Sequence, residues 1–222
     1  MIRAFSYFAS GDFVTGMMMI LSSLFVVLCC TPIHEFAHGY VAYKLGDDTA
    51  KVQGRLTINP LAHLDLIGSI MILLFGIGYA KPVPVSARRL KNPKRDMAII
   101  AIAGPLSNLI MGFIYNFIAI AISHIANYSS MSSAFYVFFT LAAEINVMLA
   151  VFNLIPIPPL DGSKVLASAL PTKTYFKYMQ YERYIMIGLM ILLFTGALNG
   201  VIRFLTGIMM SFISIIPNLI FK

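Results

Sequence analysis

The chain has no tryptophan, two cysteines and few charges: Asp, Glu, Lys and Arg make up 11% of its 222 residues. The two cysteines, Cys29 and Cys30, are adjacent inside an apolar run, which excludes a disulfide framework, and both are expected to be small buried side chains. So little charge, with 59% hydrophobic residues and a mean hydropathy of +0.84, excludes a soluble domain and indicates a polytopic membrane protein. Acidic residues are the scarcer sign, 9 against 16 basic. The cations sit in short loops between apolar runs with no basic-aromatic motif, which suits anionic headgroups and excludes nucleic acid as a partner. No small-residue cleavage site follows the first apolar run, residues 13–30, so it is expected to be a retained transmembrane helix rather than a signal peptide.

Five apolar segments are present, at residues 13–33, 97–125, 132–156, 183–197 and 200–221, the fourth short against the ~20 residues needed to span. The first is expected to continue as helix to about Lys44, where Gly46-Asp47-Asp48 ends it. Residues 66–79, LIGSIMILLFGIGY, are too few and too glycine-rich for a comfortable span, and a re-entrant or interfacial element is expected there. Before it, alternation at Val52 and Arg55-Leu56-Thr57-Ile58 is compatible with a short strand. After it, AKPVPVSARRLKNPKR is proline-rich and basic, an extended surface loop. The expected fold is all-α and integral to the membrane: about five transmembrane helices plus the short segment, in one domain over residues 1–222.

Charge decides the topology. If 66–79 does not cross, Lys44, Lys51, Arg55, Lys81, Arg88, Arg89, Lys91, Lys94, Arg95, Lys164, Lys173, Lys177, Arg183 and Lys222 share one face. Arg3 and Arg203 remain on the other. Positive charge collects on the cytoplasmic side, so the amino terminus is expected outside and the polar end of the first helix inside.

That polar end reads LCCTPIHEFAHGYVAYKLG, residues 28–46. Ionisable groups are expensive near membrane depth, and three of them within five residues point to function. His34 and His38, four apart on a helix, project from one face and can share one tetrahedral Zn²⁺, with Glu35 beside them to act on a bound water. A catalytic zinc needs a third protein ligand. Asp161 is placed to supply it: in NLIPIPPLDGSKV three prolines break the 132–156 helix just before it, although an aspartate there also suits the cap of a short helix at 162–170. With one crossing between them, the helices at 13–44 and 132–156 run parallel and bring both polar ends to similar depth.

HEFAH at 34–38 and NLIPIPPLDG at 153–162 resemble the site-2 protease family of intramembrane zinc metalloproteases. AGPLSN at 103–108, and GRLTINPLAHLDLIGS at 54–69 followed by AKPVPV, are similar to its compact bacterial branch, which lacks PDZ and CBS domains. The resemblance implies peptide-bond hydrolysis in or near transmembrane segments of substrate proteins. His34, His38 and Asp161 would bind zinc, and Glu35 would be the catalytic base. Asn153 would contact substrate or transition state, although an asparagine there equally serves as interhelical glue. The implied place is the cell membrane, multi-pass, with the active site toward the cytoplasm.

The remaining polar residues read more plainly. Asn108 with Ala101, Gly104 and Gly112 forms a small-residue stripe for close helix packing. Glu144 reads as structural or water-facing, His63 and Asp65 as residents of a superficial loop, and His124 as interfacial. A metal transporter is the rival class, since His and Asp also mark ion pathways. Glu35 between the histidines, and the lack of an inverted repeat, favour hydrolysis.

Overall fold

A computed structural model describes residues 2–65, 81–125, 129–171, 174 and 180–221. Among these residues the regular structure is entirely helical. The helices are α1 (Ile2–Ala9), α2 (Phe13–Lys44, with a π-helical turn at Val26–Cys30), α3 (Thr49–Val52), α4 (Pro60–His63), α5 (Pro93–Ile125), α6 (Ser130–Asn153), α7 (Asp161–Ala169), α8 (Glu182–Phe194) and α9 (Asn199–Ile220). Four of them, α2, α5, α6 and α9, are long and apolar enough to cross a membrane. The protein is thus an all-α, multi-pass membrane protein. The fifth apolar segment forms α8, whose 13 residues reach only ~20 Å against a hydrocarbon core of ~30 Å.

Local chemistry sets the helix ends. Asp12 caps α2 by accepting from the Thr15 N–H at 3.1 Å, and Gly46 takes up φ +107° just past its end. Ser129 and Ser132 form a capping box on α6, which stops as Pro156, Pro158 and Pro159 approach. The expected strand at 52–58 is not formed: Val52 closes the short helix α3, and Gly54, at φ +66°, turns the chain. Alternation there comes from successive turns rather than from a pleat.

Contacts between side chains give the helix directions. Phe25 meets Phe138 and Cys30 meets Asn146, so α2 and α6 run parallel, as expected. Cys30 also meets Tyr115 while His38 meets Ile100, so α5 runs against α2. Of the two cysteines only Cys30 is buried; Cys29, one residue earlier on the helix, is exposed. At the α5–α6 crossing a Cβ on Gly112 would stand 2.7 Å from Val147 Cγ2, and Ala142, Ala143, Val147 and Ala150 are fully buried. Small residues let these backbones approach closely.

The last helix departs from the expected layout. Asn116 donates to Ser214 at 3.0 Å, and Phe221 stacks on His124 and packs on Phe117, so α9 runs parallel to α5. Five full crossings would have made it antiparallel. Its start at Asn199, with Arg203, therefore lies toward the basic face, and its end at Phe221 lies on the opposite face. The short α8 is what permits this.

The expected re-entrant element at 66–79 lies outside the described residues. Its flanks are described: the Lys81 N–H donates to the His63 carbonyl at 2.8 Å, and Arg55 donates to the Lys81 carbonyl at 2.7 Å. Residues 63 and 81, on either side of it, are thus adjacent.

Candidate metal centre

Three elements build the site. His34 and His38 lie one turn apart on α2, and Asp161 is the first residue of α7. His38 Nε2 is 3.0 Å from His34 Nε2 and 3.1 Å from Asp161 Oδ2, and His34 Nε2 is 3.4 Å from the same oxygen. Ligands ~2.0–2.1 Å from a tetrahedral zinc stand ~3.3–3.4 Å apart. The three atoms thus already have nearly the spacing such an ion imposes. All three residues are buried, and among the described residues they are the group whose ligating atoms converge. Asp161 does not cap its helix; Lys164 holds its Oδ1 at 3.2 Å while Oδ2 faces the histidines. Gly162 is required beside it, because a Cβ there would meet the Leu154 carbonyl oxygen at 2.2 Å.

The third wall is α5. His38 Nδ1 bonds the Ile100 carbonyl at 2.7 Å, which puts the ring proton on Nδ1 and leaves Nε2 for a metal. Gly104 lies against both imidazoles: an added Cβ would stand 2.3 Å from His38 Nε2 and 2.6 Å from His34 Cε1. The stripe that reads as helix packing in the sequence is also the floor of this centre.

Glu35 is buried on the neighbouring side, where its Oε2 accepts the Val83 N–H at 2.8 Å. The loop at 81–86 is extended, as expected, but Val83 is buried rather than superficial. Gly39 makes room for it, since a Cβ there would meet Val83 Cγ1 at 3.1 Å. Sequence reasoning missed Ile100, Gly104 and Val83; the only signal for them was glycine in AGPLSN and in HEFAHG.

Asn153 Nδ2 donates to the Leu149 carbonyl of its own helix at 3.0 Å. His63 is buried, not superficial, with Nε2 bonded to the Thr57 carbonyl at 2.7 Å. Neither it nor Asp65 joins the converging group. Glu144 faces outward from α6, and His124 sits at the end of α5 against Phe221.

The chain is similar to known proteins. The profile of Peptidase family M50 matches residues 118–195. The chain is 43% identical to "Putative zinc metalloprotease YwhC" of Bacillus subtilis, over 73% of this chain and 75% of the relative. It is 31% identical to "Putative zinc metalloprotease MJ0611" of Methanocaldococcus jannaschii, over 75% and 84%. "Putative zinc metalloprotease Rip2" of Mycobacterium tuberculosis is 27% identical over 82% and 69%. No solved structure matches the chain. With a buried pair of histidines and an aspartate set at zinc spacing among membrane-spanning helices, this chain belongs to Peptidase family M50, the site-2 protease family of zinc metalloproteases.

Proposed function

We propose that the protein hydrolyses peptide bonds in or near the transmembrane segments of other membrane proteins, with zinc held by His34, His38 and Asp161 and with Glu35 as base. The observation that carries this reading is the convergence of three ligating atoms within 3.4 Å at the polar end of a spanning helix, with Glu35 next to the first histidine. Bound there, zinc would lower the pKa of a water and polarise the carbonyl to be attacked.

The chain's own residues supply the rest. Val83 fixes Glu35 through Oε2, and Oε1 accepts no hydrogen bond among the described residues, so it is available to take a proton. The same carboxyl then returns that proton to the leaving amine. An amide nitrogen carries two hydrogens, and the one on Asn153 not given to Leu149 can meet a substrate carbonyl oxygen.

An intact substrate helix keeps each carbonyl bonded to the N–H four residues on. The substrate segment must therefore unwind locally, which Gly, Pro or Asn near the scissile bond would ease. The lipid bilayer is the medium. The basic stretch 81–95 and the polar end of α2 meet at Val83 and Glu35, which favours a cell-membrane location with the site toward the cytoplasm.

The test is Glu35→Gln in proteoliposomes with a model transmembrane substrate. The amide cannot accept the proton, so zinc content should match wild type while cleavage falls to background. Persistent cleavage would overturn the assignment of Glu35. Metal flux without any cleavage in the wild-type protein would favour transport instead.

A further inference from the structure

The two zinc-facing histidines differ in what holds them. His38 has its second ring nitrogen bonded to the Ile100 carbonyl, whereas His34 Nδ1 is buried with no hydrogen-bond partner among the described residues. With Nε2 directed to a metal, the proton of His34 resides on Nδ1, which makes it a buried donor in need of an acceptor.

The complementary atom is on α5. Asn108 is 2% exposed, and its Oδ1 is likewise buried without a partner among the described residues. Its place along the helix is bracketed on both sides. Gly104, one turn before it, abuts the His34 ring at Cε1, the carbon bonded to Nδ1. Met111, three residues after it, packs with Val26 and Cys30, and Cys30 is one turn before His34 on α2. Asn108 is thus level with the stretch of α2 that carries the His34 ring. Helical side chains lean toward the amino end of their helix, so its amide leans back over Gly104.

We propose that Asn108 is the positioning residue for His34. Its Oδ1 accepts the His34 Nδ1–H, by a rotation of the amide or through one intervening water, and so keeps Nε2 free for zinc. One helix then orients both imidazoles, through a backbone carbonyl for His38 and a side chain for His34. The asparagine of the small-residue stripe is present for the metal and not only for packing. This rests on the reading of His34 as a zinc ligand.

The experiment measures zinc affinity by chelator competition, and the visible spectrum of the Co²⁺-substituted protein, for Asn108→Leu, Asn108→Ala and Asn108→Asp. Leu keeps the volume and Ala removes it, but both lack an acceptor; Asp keeps one. Leu and Ala should weaken zinc binding by about 10–100-fold and shift the Co²⁺ bands, while Asp stays close to wild type. Zinc affinity and spectrum unchanged in Leu and Ala would overturn the proposal, as would an Asp variant that loses as much as Leu. His34→Ala is measured alongside. If it retains zinc, the reading of the metal centre fails; if it loses zinc while Asn108→Leu keeps it, only the positioning role fails.

Discussion

At the scale of single residues, the site depends as much on what is missing as on what is present. Gly104 contributes no side chain, and that is its use: any Cβ would occupy the space of both imidazole rings. Gly104→Ala should therefore push His34 and His38 off their ligating geometry. We expect zinc affinity to fall by at least 10–100-fold, the scale of losing support around a metal ligand, while the melting temperature of the metal-free protein changes little. Metal analysis after gel filtration, with a melt of the apo form, checks both. Normal zinc retention would show that α5 yields easily here. The convergence of His34, His38 and Asp161 was legible beforehand because helical periodicity aligns positions 34 and 38 and a catalytic zinc would need a third donor. Gly104 was legible only as a small residue, since nothing in a sequence says which neighbour a small residue admits.

At the scale of elements, the helices of the bundle were readable because hydropathy reports length and composition directly, and caps such as Asp12 and Ser129 mark their starts. The loops were read less well. Val52 to Ile58 alternates like a strand, yet Gly54 and the Asn59 cap of α4 fold it into turns. What holds these loops together is Asp47, fully buried just past α2. It accepts from the Ser86 N–H at 2.6 Å and the Thr49 N–H at 3.0 Å, and also from the Thr49 hydroxyl. Burial pushes its carboxyl up, but these hydrogen bonds and nearby Arg89 outweigh it and hold it below the usual carboxylate range. A depressed folded pKa means stabilisation that is present above the unfolded value of about 3.9 and lost as pH falls through the folded one. Asp47→Ala should cost about 1.5–3 kcal/mol at neutral pH, the scale of hydrogen bonds to a charged group. The gap to wild type should close below about pH 4. Melting curves of both apo proteins across pH test this, and a pH-independent gap would contradict it.

At the scale of the whole molecule, the sequence showed how many apolar runs there are but not which way the last one points, because hydropathy has no direction. The pairing of α9 with α5 supplies the direction and exchanges the faces expected for Arg203 and for the carboxyl end. In a variant with Cys29 and Cys30 replaced by Ala, single cysteines introduced at Lys91 and Phe221 should react with an impermeant thiol reagent from opposite sides of sealed vesicles. Reaction of both from one side would mean that α8 completes a crossing after all. The π-helical turn at Val26–Cys30 bears on this assembly in another way. An α-helix advances ~100° per residue, so a turn that takes up one extra residue resets the angular phase of everything after it. The amino-terminal half of α2 and the half that carries the histidines therefore keep separate bearings. The first is set by aromatic packing of Phe25 on Tyr115 and Phe138, the second by the demands of the metal site. An insertion or deletion confined to the amino-terminal half can be absorbed at this turn without rotating the histidines away from Asp161, so that half can adapt to a different bilayer or neighbour while the histidines stay in register.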